Sequence, residues 1–292
     1  MYKIIIILVV IQIAYYGMGM DEPIDTKPAT AEKSEVLITS LPDNIQLIIG
    51  LKSLDYRPRV FAIHELSNDL PQDQVDALRQ FLYQKLESQT LPDLEFNGLK
   101  NELVIELMKQ QAPSPELAMD LVQMYQNHSY DETWRNYCVQ FFGKCYPFLP
   151  DNDGRIKMID AINAALEERS GKIAGTAGYM LRHMVDYPGF DRQEIMDKIF
   201  QTLNAENCSN GSKIMLLQAG AELGDSRILP IARQHMQSKI PLLQMSAIGA
   251  IGYLGDNTDL VELEKLAASN DLNKQTPAKS AIAKIKQRMT SK

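Results

Sequence analysis

Four histidines, three cysteines and 37 aspartates and glutamates are the residues with which this chain could do chemistry. His64, His128, His183 and His235 stand far apart, and none forms an HxxH, HExxH or His/Cys pair of the kind that holds zinc. Cys138 and Cys145 are seven residues apart on one helical pattern, which puts their Cα atoms ~10 Å apart, too far for a disulfide. Cys208 could pair with either, or all three could serve as small buried hydrophobes. No GxSxG elbow offers a nucleophile. Ser170-Gly171-Lys172 is no phosphate loop, because Leu166 stands where the first glycine is needed. Acidic pairs such as Glu102/Glu106, Glu167/Glu168 and Asp186/Asp191 could act as acid and base on a glycosidic bond. So many acids on helical surfaces also produce such pairs by chance. No catalytic, cofactor-binding or metal-binding residue is expected from these spacings.

Two other stretches carry recognition chemistry. Tyr125–Phe148 holds 8 of the chain's 21 aromatics, a density typical of binding hot spots. A stripe through Trp134, Tyr137, Phe141 and Cys145 could bury several of them in a bulky core. Tyr130, Phe142 and Tyr146 cannot all share that stripe, so Tyr130, Trp134, Tyr137, Phe142 and Tyr146 are the expected partner-binding set. The stretch Leu272–Lys292 has six basic residues and no acid. It fits either an acidic partner or a solvated cap whose cations suit a helix C-terminus.

These side chains must be held by a folded scaffold. Hydrophobic residues make up 45% of the 292 positions, enough to bury a sizeable core. The net charge of −7 argues against a general nucleic-acid binder. Lys3 precedes the apolar run Ile4–Ala14, and the small residues Gly17 and Gly19 follow. This order predicts a signal peptide over 1–19, cleaved near Gly19, and an exported chain with no lasting membrane span. The apolar run is shorter than the ~20 residues a spanning helix needs. Residues 20–39, polar and interrupted by Pro23 and Pro28, read as a flexible linker.

From residue 40 onward one helical pattern follows another. Apolar positions recur at steps of three and four, as in Val75, Leu78, Leu82; Leu99, Leu103, Leu107; and Ile195, Ile199, Leu203. Ser, Asp or Pro opens most segments, where side-chain oxygens or a missing N–H suit a helix start. Short breaks force consecutive helices to run antiparallel. A phrase also returns after 31 residues: SKIMLLQAGAELGD at Ser212–Asp225 and LQMSAIGAIGYLGD at Leu243–Asp256. Ala219/Ala250, Leu223/Leu254, Gly224/Gly255 and Asp225/Asp256 match, and a fainter copy covers Lys274–Gln287. Such a period means stacked helical hairpins. Arg59-Ala62-Leu66, Arg135-Cys138-Phe142 and Gln244-Ala247-Ile251 share a further spacing, with a small residue where helices approach.

Over Ser212–Arg288 the chain resembles HEAT-like repeats of the short bacterial type, related to those of the phycobilisome-lyase group. That pattern runs Val-Arg-x-x-Ala-x-x-Ala-Leu-x-x-Leu-Gly-Asp. Its Arg position holds Lys213, Gln244 and Gln275 here, so most of the usual Asp–Arg ladder is missing. The resemblance implies an all-α fold, an α-α superhelix of about six helical hairpins over 40–292, most regular in 205–290. It further implies a binding role and no particular chemistry. The expected function is an exported, non-enzymatic scaffold that binds another protein along its concave face, without cofactors. The alternatives are a secreted all-α glycan hydrolase or lyase using paired carboxylates, and a structural module of a larger assembly with an uncapped apolar end.

Overall fold

The computed structural model describes residues 41–50, 56–85, 94–111, 114–149 and 152–290. The expected signal peptide over 1–19 and linker over 20–39 lie outside the described residues. Every regular element among the described residues is helical. In chain order the helices are α1 (Asp43–Ile49), α2 (Tyr56–His64), α3 (Gln72–Leu82), α4 (Leu94–Leu107), α5 (Pro115–Gln126), α6 (Glu132–Cys145) and α7 (Asn152–Glu167). They continue with α8 (Ile173–Met184), α9 (Arg192–Asn204), α10 (Asn210–Glu222), α11 (Ile228–His235), α12 (Pro241–Leu254), α13 (Leu260–Ala267) and α14 (Leu272–Thr290).

The starts carry the chemistry their sequences promised. The Asp131 side chain accepts from Trp134 N at 3.0 Å, that of Asp191 from Glu194 N at 2.8 Å, and that of Ser209 from Ser212 N at 3.1 Å. Each satisfies an amide that has no partner inside its helix. Pro115 and Pro241 occupy first positions, where no amide is needed.

Packing sorts the helices into two rows. Each odd helix pairs with the even helix after it, giving seven pairs where about six were expected. Each even helix also packs on the next even helix, from α2 through α14. Their register is parallel: Gly175 meets Ser212, Gly178 meets Leu216, and Arg182 meets Glu222 from the start of α8 and α10 to their ends.

Small residues set this close approach. A Cβ added to Gly175 would lie 2.7 Å from Ser212 Cα, and one on Gly252 would lie 3.0 Å from Ala281 Cα. The Gly175, Gly178, Ala174 and Ala177 face of α8 is therefore a packing surface, since glycine alone lets backbone meet backbone there.

The spacing shared by Arg59, Arg135 and Gln244 has one physical role. Each is buried on an even helix and donates to a carbonyl at the end of the preceding odd helix. Arg59 Nε reaches Ile48 O at 3.1 Å, Arg135 Nε reaches Tyr125 O at 2.7 Å, and Gln244 Nε2 reaches Met236 O at 2.8 Å. Gln275 does the same to Ser269 O at 3.1 Å. The last carbonyls of a helix have no partner inside it, and these side chains supply one. Glutamine serves as well as arginine because the task needs a donor rather than a charge.

The two copies of the Leu-Gly-Asp phrase end differently. Gly224 takes φ +82°, and Asp225 turns inward to hold Arg227 through paired bonds of 2.9 and 2.8 Å. Gly255 is extended at φ −69°, so Asp256 faces solvent and caps the next turn through Thr258 N. Asp259 becomes the buried carboxylate instead, bonded to Arg233 at 2.7 and 2.9 Å. The matched pair Asp225/Asp256 thus diverges in role, because the backbone of the preceding glycine decides where the side chain points.

Candidate functional site

The five aromatics expected to bind a partner are all interior. Trp134 and Phe142 have no exposed surface, and Tyr130, Tyr137 and Tyr146 are buried as well. Phe142 meets Tyr125 edge-on at 5.8 Å, and Tyr146 stacks on Tyr187 and meets Phe190 edge-on. The Tyr130 hydroxyl donates to Tyr83 O at 2.9 Å. A docking patch needs solvent-facing surface, so these residues form the core between pairs. The single-stripe argument failed because α6 is covered on almost every side, by α4, α5, α7 and α8. Phe148, 40% exposed, is the member of the aromatic cluster that reaches solvent.

Inside this cluster sits a residue that sequence reasoning passed over. Lys100 on α4 is 2% exposed, with Nζ 3.9 Å from the Trp134 ring centre, 5.1 Å from Phe96 and 5.4 Å from Tyr130. It donates to Leu82 O and Gln84 O at 3.4 and 3.3 Å, the end of α3. Lys100, Leu103 and Leu107 repeat the spacing of Arg59, Ala62 and Leu66, which is the signal that could have found it. Burial pushes its amine down to about 7, with Cys138 and Asp131 opposing.

The candidate acid–base pairs are mostly engaged in structural roles. Glu102 meets His64 at 3.1 Å, and Glu106 binds Lys109 at 2.6 Å. Glu167 holds Arg169, while Glu168 accepts from Arg135 and the Tyr125 hydroxyl. Asp191 is a helix cap. Cys138, Cys145 and Cys208 are free and buried. Among the described residues no three His, Cys, Asp or Glu side chains gather as a metal site, and no helix is long and apolar enough to cross a membrane. An open groove of about 730 Å³ lies where α3 and α5 begin and α4 ends, edged by Asp76, Arg79, Gln110 and Glu116. Its Arg79 is held by Asp120 at 2.7 Å and Asp76 at 3.1 Å.

A series of side-chain contacts, part buried and part exposed, runs along the even helices. Side chains bond across successive members: His64 to Glu102, Gln140 to Asn101, Thr176 to Asn136 at 2.7 Å, Arg182 to Glu222 at 2.7 Å. Gln218 braces Glu222 at 2.9 Å, and Lys284 of α14 lies 3.6 Å from the Tyr253 ring centre of α12. The His183 ring stands edge-on to Tyr179 at 4.8 Å, and Arg182 donates to its Nδ1 at 3.0 Å. That bond requires the unprotonated nitrogen, and burial together with the Arg182 charge lowers the proton affinity of His183. A ladder of this kind fixes exposed side chains in set rotamers before anything binds, which lowers the cost of docking.

The basic C-terminal stretch is largely occupied with its own scaffold. Arg288 donates to Gly252 O and Gly255 O at 2.5 and 2.6 Å, completing the end of α12. Lys274 pairs with Asp271, and Lys286 lies 3.7 Å from Glu264. Thr276, Lys279, Ser280 and Gln287 face solvent on α14 while Ala278, Ala281 and Ile285 face inward. The outer face of α14 is mainly polar, with Leu272 and Met289 exposed near its two ends.

No protein-family model matches the sequence, and a search of curated proteins finds no match.

Proposed function

We propose that the chain is a helical-repeat scaffold that binds another protein along the row of even helices. The observation that carries this reading is the set of side-chain contacts that cross between successive even helices from α2 to α10 and again from α12 to α14. The close backbone approaches at Gly175 and Gly252 lie on the same row. In a curved stack the more closely spaced row is the inner one, so the even row corresponds to the concave side. Rigid concave surfaces of this kind suit extended partners. The HEAT-like phrase favours the same role, and most of the carboxylates considered for acid–base work are tied up in ion pairs and caps. The run before Asp21 favours an exported protein whose mature chain starts after Gly19.

Photo-crosslinking tests the binding reading. A photoreactive residue placed at Gly249, whose Cβ position has open space, or at Tyr253, samples the even row. Ile156 on α7, 56% exposed, samples the odd row. Specific adducts in the native host from Gly249 and Tyr253 and none from Ile156 support the proposal. Adducts from Ile156 alone, or none from any position, refute it. N-terminal sequencing of the exported chain checks the cleavage point.

A further inference from the structure

Lys144, Arg182 and Lys284 stand along the even row of a chain whose net charge is −7. Lys144 stands at the end of α6, beside Gly143, whose added Cβ would meet Met184 at the end of α8 at 3.4 Å. Arg182 beside it bonds Glu222 at the end of α10. Tyr179 of α8 is buried and edge-on to His183, and Tyr253 at the end of α12, which packs on α10, carries Lys284 on its ring. These contacts join five successive even helices into one strip. It holds three cations, Lys144, Arg182 and Lys284, against the bonded carboxylate of Glu222, on a chain of net charge −7. Among the described residues neither Lys144 nor Lys284 has a carboxylate partner. Lys144 is exposed and Lys284 half-buried. A cation left without a counter-charge in the fold favours an incoming anion.

We propose that this strip docks an acidic, extended segment of the bound protein, with carboxylates on Lys144 and Lys284 and a side chain laid on the Tyr253 ring. The proposal rests on the even row being the binding face. Four interhelical steps of ~8–10 Å make the strip ~35 Å long, the reach of about ten extended residues. Uncharged Tyr253, His183 and Gln218 alternate with the cations, which suits a peptide. A nucleic acid or an anionic membrane would need a denser basic surface and would be repelled by the rest of the chain.

The test uses the full mature chain and three labelled twelve-residue probes of alternating Glu-Ala, Lys-Ala and Gln-Ala, read by fluorescence anisotropy. Glu-Ala binding is expected, weakening as salt rises, with the combined Lys144→Glu and Lys284→Glu variant at least ~tenfold weaker. Its thermal midpoint should fall only slightly, because neither lysine holds an ion pair in the fold and Lys284 gives up only its contact with the Tyr253 ring. Lys157→Glu, on α7, should bind as the wild type does. No Glu-Ala binding at low salt, binding unchanged in the double variant, or equally tight binding of Lys-Ala overturns the proposal. Tight double-variant-sensitive binding of duplex DNA or phosphatidylserine vesicles, exceeding that of Glu-Ala, also overturns it. Crosslinks from Gly249 and Tyr253 together with a failed Glu-Ala titration would reject the acidic segment alone; loss of those crosslinks would reject the binding face itself.

Discussion

Replacing Lys100 by methionine should remove most of one pH dependence from the stability of this protein. The amine is 2% exposed, and burial takes it from an ordinary 10.5 to about 7. At ~1.4 kcal/mol per pH unit that gap is worth about 4–5 kcal/mol. Between pH 7 and 10 the folded amine has largely lost its proton while the unfolded amine keeps it. Unfolding therefore takes up a proton, and stability rises with pH across that window. The ring faces and the carbonyls of Leu82 and Gln84 favour the ammonium and reduce the gain. We expect the wild type to gain about 2 kcal/mol relative to Lys100→Met between pH 7 and 9. Methionine fills the box without a charge, so the variant should also be the more stable of the two at pH 6.5. Above pH 8.5 the unfolded thiols of Cys138, Cys145 and Cys208 ionise while burial holds the folded ones protonated. That destabilises both proteins alike and cancels in the difference. Urea unfolding followed by the fluorescence of Trp134, the sole tryptophan, gives the measurement at the site itself. Parallel stability curves for the two proteins would refute the reasoning, since Lys100 would then keep an ordinary proton affinity inside the fold.

Three further outcomes follow from the packing. Gly175→Ala should cost at least ~2 kcal/mol, because its methyl meets the Ser212 backbone, whereas Gly249→Ala meets nothing and should add ~0.5–1 kcal/mol through helix propensity; thermal melting separates the two. Asp225→Ala and Asp259→Ala should each cost more stability than the exposed cap Asp256→Ala, because a buried carboxylate with paired arginine bonds is lost, with the smaller loss at Asp225, whose Arg227 keeps Asp197. Equal losses for Asp225 and Asp256 in chemical denaturation would show that the two copies behave alike after all. The three buried thiols should resist a thiol-reactive dye in the native protein and label within minutes in denaturant, with rapid native labelling of any one counting against its burial.

The helices and their stacking were written in the sequence. Apolar residues at steps of three and four, caps such as Asp131 and Asp191, and the 31-residue phrase each act locally or between neighbours, so they can be read along the chain. The shared spacing of Arg59, Arg135 and Gln244 also had a local cause, the bare carbonyls at the end of the helix before. Three matters depended on distant packing. Whether Tyr130, Trp134, Tyr137, Phe142 and Tyr146 met solvent depended on how many neighbours α6 acquires, and a helical wheel assumes one buried face. Which aspartate of the repeated phrase turned inward depended on the backbone at Gly224 and Gly255, identical in sequence and different in conformation. The candidate binding strip joins Lys144, His183, Arg182, Glu222, Tyr253 and Lys284 over 140 positions of chain. A sequence can place each of these on its helix, but only the parallel register of the even row brings them together.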